Sequence, residues 1–375
     1  MKKLTAAALA LALTAALVAG CSTKPTESAP EAGTTAPKGT EPLKVAWVYI
    51  GPPGDAGWTY EHDQGRKQVE KELGAKVQTS FVENVPEGAD AERVFEELAQ
   101  KGNKVIFGTS FGYMDSMVAV AQRHPEVTFL HATGFKTEKN LGTYQGRNHQ
   151  GFYLSGIAAG YQLQSTPSNT VGMVAAFPIP EVIRAINAFA LGMQSVNPTA
   201  KVKVVWTNTW FDPNKEKDAA NALLAAGVDG LAMYQDSPAT LQAAQEKGKF
   251  AIGNDSDARV HAPKAFLTAP VFNWGPYYVK TIKSVLDGTW KSEQYWGGMN
   301  DQIVTVAPLA DFAKAEAKTK VAEVKKQFEA NSLEVFTGPI KDQSGAERVK
   351  AGAKLADGDQ LSMDWFVAGV EGSPK

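Results

Sequence analysis

The sequence predicts an α/β protein of two doubly wound lobes, each a parallel sheet flanked by helices. Short apolar or β-branched runs alternate with amphipathic stretches of about 10–15 residues, the pattern of repeated βαβ units. That rhythm runs from residue 43 to about residue 145 and restarts at residue 169. About 330 residues follow residue 42, enough for two domains. Right-handed crossovers place the loops after each strand's C-terminal end on one side, where open α/β sheets bind ligands.

The first run opens with a strand over 43–50, a Gly/Pro loop over 51–57 and a helix reaching about Leu73. A strand over 76–82, a helix over 90–101 and a buried strand over 104–108 follow, the last opening onto Thr109-Ser110-Phe111-Gly112. A helix over 113–124, strands over 128–132 and 141–145, and a small-residue helix over 150–162 complete it. The second run reads strand 169–176, helix 180–196, strand 201–207, helix 214–226, strand 230–234, helix 238–247 and strand 250–253. Beyond it come a strand over 267–272, a helix over 277–287, a strand near 302–307 and a charged helix over 310–329. The polar remainder holds little apolar surface before Trp365-Phe366-Val367, and its pattern assigns no fold.

At the N-terminus, Lys2 and Lys3 precede an unbroken apolar stretch over 4–18. That length suits a signal-peptide core and falls short of the roughly 20 residues a spanning helix needs. The stretch ends in Val18-Ala19-Gly20-Cys21, which resembles a bacterial lipobox. Residues 1–20 are therefore expected to be removed and Cys21 to carry a diacylglycerol anchor. Cys21 is the only cysteine, which excludes a disulfide within the chain and a Cys-based metal cluster. Residues 21–42, rich in Thr, Pro, Ala, Glu, Gly and Lys, read as a flexible tether.

Lys and Arg number 38 against 40 Asp and Glu, and no basic stripe occurs, so nucleic acid is not an expected partner. The five histidines show no HExxH spacing and a Walker A pattern is missing from the sequence, so catalysis is not expected. The acids lack EF-hand spacing. A monomer without cofactor or metal is the expectation.

Candidate ligand contacts cluster at strand ends. The loop 51–61 brings Asp55, Trp58, Tyr60 and Glu61 to the end of the first strand. Its Pro and Gly residues let the backbone come close to a ligand. Trp58 and Tyr60 offer π-faces on which a flat base stacks. Asp55 or Glu61 can accept from an exocyclic amine, or serve as acids favoured at a helix start. Ser110 and Phe111 repeat the arrangement after the strand 104–108, with a helix N-terminus aiming free N–H groups at the cleft. Trp210 and Phe211 precede Asp212-Pro213, a pair read as N-cap and first helical residue. Asp236 and Asp255 follow two further strands and can accept from base N–H groups or sugar hydroxyls.

Several segments together resemble the basic membrane protein family of purine nucleoside and nucleobase receptors. They are Gln150-Gly151-Phe152-Tyr153-Leu154-Ser155-Gly156, Gly172-Met173-Val174 with Ile179-Pro180, Asp212-Pro213-Asn214-Lys215, and Gly253-Asn254-Asp255-Ser256-Asp257. The resemblance implies a type I periplasmic binding protein fold with three hinge crossovers, near 146–149, 268–273 and 297–302. Lobe one would then be 43–147 plus 273–298, and lobe two 148–272 plus 299–375. It also implies a purine ligand, delivery to an ABC permease, an aromatic contact at Trp58, a second at Trp210 or Phe211, and a ribose contact at Asp255. Nucleoside-binding members carry a lysine where this chain has Phe272. A phenyl ring there, with Trp274 filling the remaining space, implies a free base, adenine-like, rather than a nucleoside. The same lobes would also suit a sensor that signals to a membrane partner.

Overall fold

The computed structural model describes residues 41–164 and 166–375. The expected leader, Cys21 with its expected anchor and nearly all of the expected tether lie outside the described residues.

The first run forms β1 (Leu43–Val48), α1 (Trp58–Leu73), β2 (Val77–Val82), α2 (Ala89–Gln100), β3 (Val105–Gly108), α3 (Met114–Arg123), β4 (Thr128–Ala132) and β5 (Leu141–Gly146). The chain continues through α4 (Asn148–Leu163), β6 (Thr170–Ala175), α5 (Pro180–Gln194), β7 (Lys201–Trp206), α6 (Pro213–Ala225), β8 (Gly230–Tyr234), α7 (Ala239–Glu246), β9 (Phe250–Ile252) and β10 (Phe266–Thr268). It then returns through β11 (Pro270–Phe272), α8 (Gly275–Leu286), β12 (Gln294–Gly297), β13 (Val304–Val306) and α9 (Ala315–Glu329). A C-terminal segment adds β14 (Ile340–Lys341), β15 (Glu347–Val349), α10 (Asp357–Leu361) and β16 (Val370–Glu371).

Two six-stranded sheets result, ordered β12-β5-β4-β3-β1-β2 and β10-β9-β8-β6-β7-β16, with every neighbour parallel. Central strands such as β3 and β8 are buried along their whole length, as parallel strands covered on both faces must be. These are two α/β lobes, and the chain passes between them three times: after β5, between β10 and β12, and after β12.

The crossings are tied to one another. β11 and β13 pair antiparallel, Pro270 opposite Val306 and Phe272 opposite Val304. The Arg147 N–H donates to the Gly297 carbonyl at 2.7 Å, joining the first crossing to the third. The single strand expected over 267–272 is therefore two. Pro270 has no N–H to extend the second sheet's ladder, so the chain leaves that sheet at Thr268 and enters the hinge ribbon.

The small-residue helix α4 has a packing reason. A methyl at Gly156 would run into the Phe189 carbonyl of α5, and one at Gly192 of α5 into the Tyr153 carbonyl of α4. Glycine lets these helices cross backbone to backbone. The tail that showed no pattern is also structured. β16 extends the second sheet beside β7, while buried Asn187 accepts from the Val367 N–H and donates to the Trp365 carbonyl.

Candidate functional site

The strand ends of both lobes face one interlobe cavity. From lobe one, Ile50, Trp58, Ser110, Phe111 and Thr133 line it; from lobe two, Glu181, Trp210, Tyr234, Asp236 and Asp255 do. The space left is small, about 20 Å³, and the lobes touch beside it, where the Ser256 hydroxyl donates to the Ala56 carbonyl.

Trp58 is the first residue of α1 and is 9% exposed. Its indole N–H donates to the Thr109 carbonyl at 2.6 Å, so one side chain joins the loops after β1 and β3. His62, Phe272 and Trp274 meet its ring edge-on at centroid distances of 4.4, 5.5 and 5.9 Å. Trp210 stands opposite on lobe two with a single ring neighbour among the described residues, Phe177, at 5.1 Å. Its carbonyl accepts from the Asp236 N–H at 3.1 Å.

The acids differ in how they are satisfied. Asp255 is 2% exposed, its Oδ1 has no hydrogen-bond partner among the described residues, and its backbone takes the left-handed value φ +62°. Asp236 is also buried in the wall. Burial, with neighbouring acids adding to it, raises both carboxyls well above the ordinary range, which favours forms that donate as well as accept. Glu181 accepts from the Tyr234 hydroxyl at 2.9 Å, and that hydroxyl accepts from Asn148 Nδ2 at 2.8 Å. No cationic side chain lines this cavity.

The sequence profile described as ABC transporter substrate-binding protein, PnrA-like, matches residues 43–334. The chain belongs to this family. It is 49% identical over 331 residues to a purine-binding protein of Brucella abortus, covering 88% of this chain and 93% of that one. It is 40% identical over 336 residues to a Haloferax volcanii protein named as the glucose-binding component of an ABC transporter, covering 90% and 82%. Among solved structures, an ABC transporter solute-binding protein from Aeropyrum pernix K1 superposes with a TM-score of 0.68 at 19% identity, over 80% of this chain and 93% of that one. That likeness shows the fold.

As a member of the family the chain is an extracytoplasmic substrate-binding protein of an ABC transporter and not an enzyme. No helix among the described residues is long and apolar enough to cross a membrane. No group of three or more His, Cys, Asp or Glu among them is placed to hold a metal ion.

The structure separates the sequence candidates. Trp58, Ser110, Phe111, Trp210, Asp236 and Asp255 come together on the cavity wall. Asp55, Tyr60, Glu61, Phe211 and Trp274 do not. Asp55 spends its oxygens on its own loop, accepting from the N–H groups of Gly57, Thr59 and Tyr60 at 2.8–2.9 Å. Tyr60 lies on α1 two residues past Trp58, about 200° round the helix, and so leaves its direction, while Glu61, three residues on, stays nearer that face without reaching the cavity wall. Tyr60 is 38% exposed, and burial beside Asp55 and Asp257 pushes the Glu61 carboxyl up to about 8. Phe211 is 40% exposed.

Trp274 is 1% exposed and stacks on His62 at 4.9 Å and on Phe272 at 4.6 Å. It fills the core behind Trp58 rather than a sugar compartment. Phe272 likewise stands behind the Trp58 indole and off the cavity wall. The N–H groups expected to be free after β3 are also occupied. Gly112 N–H donates to Glu87 Oε1 at 3.0 Å, and Tyr113 N–H to the Ser110 carbonyl at 3.1 Å.

Ile50, Thr133, Glu181 and Tyr234 escaped the sequence reading. Tyr234 is the last residue of β8, and Glu181 follows the Pro that opens α5 after β6. The strand-end rule applied to Asp236 and Trp210 points to both.

Proposed function

We propose that this protein captures a free purine base, adenine-like, between Trp58 and Trp210, and releases it to a permease when the lobes reopen. The observation that carries this reading is one cavity walled by indoles from opposite lobes, with buried carboxyls at its lobe-two edge. Indole faces suit a flat heterocycle, at about 1–3 kcal/mol per stacked base. Asp236 and Asp255 then meet ring N–H and amino groups, as donors or acceptors according to their protonation. The 49% identity to a purine-binding protein supports the same ligand class. A wall without lysine favours a base over a nucleoside. Residues 1–20 as a leader, and a diacylglycerol on Cys21, complete the proposal and would keep the receptor beside its permease. Hinge closure of this kind is the usual behaviour of periplasmic binding proteins.

A sugar is the second reading, favoured by the 40% identity to a protein named as glucose-binding, since indoles and carboxyls also suit pyranose rings. Mass spectrometry of the small molecule released on denaturing the purified protein decides between them. A purine is expected; a hexose would replace the proposal. Adenine should also raise Tm more than adenosine does, and the reverse order would overturn the preference for a base.

A further inference from the structure

Beside the cleft lies a second cavity of about 470 Å³, against about 20 Å³ in the cleft itself. Phe111, Thr133 and Glu181 belong to both walls, so the two spaces adjoin. Its walls come from β5 and β12, from the first turn of α5, and from α10. The last lies in the C-terminal segment beyond the residues that the family profile matches.

Arg184 of α5 reaches this cavity and is fully buried. Its Nη1 donates to the Gln360 carbonyl at 2.9 Å, while Nε and Nη2 have no partner among the described residues. Those two nitrogens form one edge of the guanidinium, a fork whose spacing matches a carboxylate. A third buried donor without a partner, Trp296 Nε1, belongs to the same wall, with the Arg184 guanidinium 5.0 Å from its ring.

A buried cation with an unused donor edge is unfavourable until an acceptor meets it. The nearby carboxyls are engaged elsewhere. Asp357 is held by both terminal nitrogens of Arg147, at 3.0 and 2.5 Å. Glu181 accepts from Tyr234 and makes no hydrogen bond to Arg184; burial raises its carboxyl, with the Arg184 charge acting against that rise. Among the described residues that line the cavity, Arg184 is the cationic group, and it has no hydrogen-bonded partner of opposite charge.

We infer that the second cavity is a carboxylate subsite, in which the Nε/Nη2 edge of Arg184 and Trp296 Nε1 hold a planar carboxylate. That group belongs either to an acidic arm of the purine in the adjoining cleft or to a free small monocarboxylate. Only the first source rests on the purine reading. Neutral ribose hydroxyls leave a donor-only cationic edge poorly matched.

Calorimetry on the full chain with adenine, N-(purin-6-yl)glycine and acetate tests this. The acid-armed purine should bind at least about tenfold tighter than adenine, the effect of a charge-assisted pair of bonds. Within each variant, Arg184→Gln and Trp296→Phe should shrink that ratio; Trp296→Phe keeps the ring and removes only the donor, should the buried arginine prove necessary for folding. Saturable acetate binding that both substitutions weaken, without a gain for the armed purine, supports the free source. No gain and no acetate binding, or binding that survives both substitutions, overturns the subsite. If adenine itself fails to bind, the cleft reading falls, and the acetate titration alone decides the subsite.

Discussion

The two loops that supply the cleft's indoles begin alike and end differently. Each follows a strand, and each uses an aspartate to satisfy backbone N–H groups at a helix start: Asp55 for α1 and Asp212 for α6, the latter accepting from Asn214 and Lys215. On lobe one the indole lies inside the helix, bonded through its nitrogen and backed by three further rings. On lobe two it precedes the cap and rests on Phe177. One ring is built into the core, while the other stands at a loop end. A hinged receptor has use for both, a fixed platform and a face that can adjust as the lobes meet.

Truncating each indole sharpens that contrast. Trp58→Ala should lower ligand affinity at least about tenfold and also cost about 3–5 kcal/mol of folding stability, because it opens a hole against Phe272, Trp274 and His62. Trp210→Ala should lower affinity by a similar factor while moving Tm by no more than about 4 °C. Calorimetry and thermal unfolding of both variants measure the two effects separately. Equal stability losses would erase the distinction between platform and adjustable face, and unchanged affinity in either variant would remove that ring from the site.

The caps come next in size. Asp55→Ala strands three N–H groups in a buried loop and should cost about 2 kcal/mol, whereas Asp212→Ala, on a half-exposed turn, should cost about 1 kcal/mol. Chemical denaturation of the ligand-free proteins checks the order. If Asp212→Ala is the more damaging, the lobe-two loop is the more rigid of the two.

The βαβ rhythm was legible because strand and helix periods differ and because central parallel strands are continuously apolar, as β3 and β8 are. Six of the ten cleft residues were legible for a topological reason: ligand loops follow strand C-termini, which singled out Trp58, Ser110, Phe111, Trp210, Asp236 and Asp255. Direction along a helix was not. Tyr60 sits two residues past Trp58, about 200° round the helix, and points elsewhere, and Trp274 turned inward because His62, one turn of α1 past Trp58, offers it a parallel face. The second cavity was hidden altogether, since Arg184, Trp296 and α10 meet only through tertiary packing. The C-terminal segment gave no pattern because its order comes from single contacts, such as Asn187 with Trp365 and Val367, rather than from an amphipathic face.

The smallest effect expected is a pH slope from the lobe-one loop. Burial, reinforced by Asp55 and Asp257, holds the Glu61 carboxyl near 8 in the folded protein, against an ordinary value of 4.5. Between those two values the folded chain binds more protons than the unfolded one, so stability falls as pH rises. The contribution is complete below about 4.5 and gone above about 8. Glu216 at the start of α6, pushed up to about 7 by burial, adds the same sign over a narrower window. Ligand-free Tm should therefore decline by a few degrees from pH 5 to pH 8. Glu61→Gln should lower the slope across the whole range and remove most of it above pH 7, where Glu216 has already lost its proton, whereas Glu216→Gln should lower it only below pH 7. A slope unchanged by both substitutions would assign the pH dependence to the other carboxyls that burial raises, Asp55, Glu181, Asp236 and Asp255.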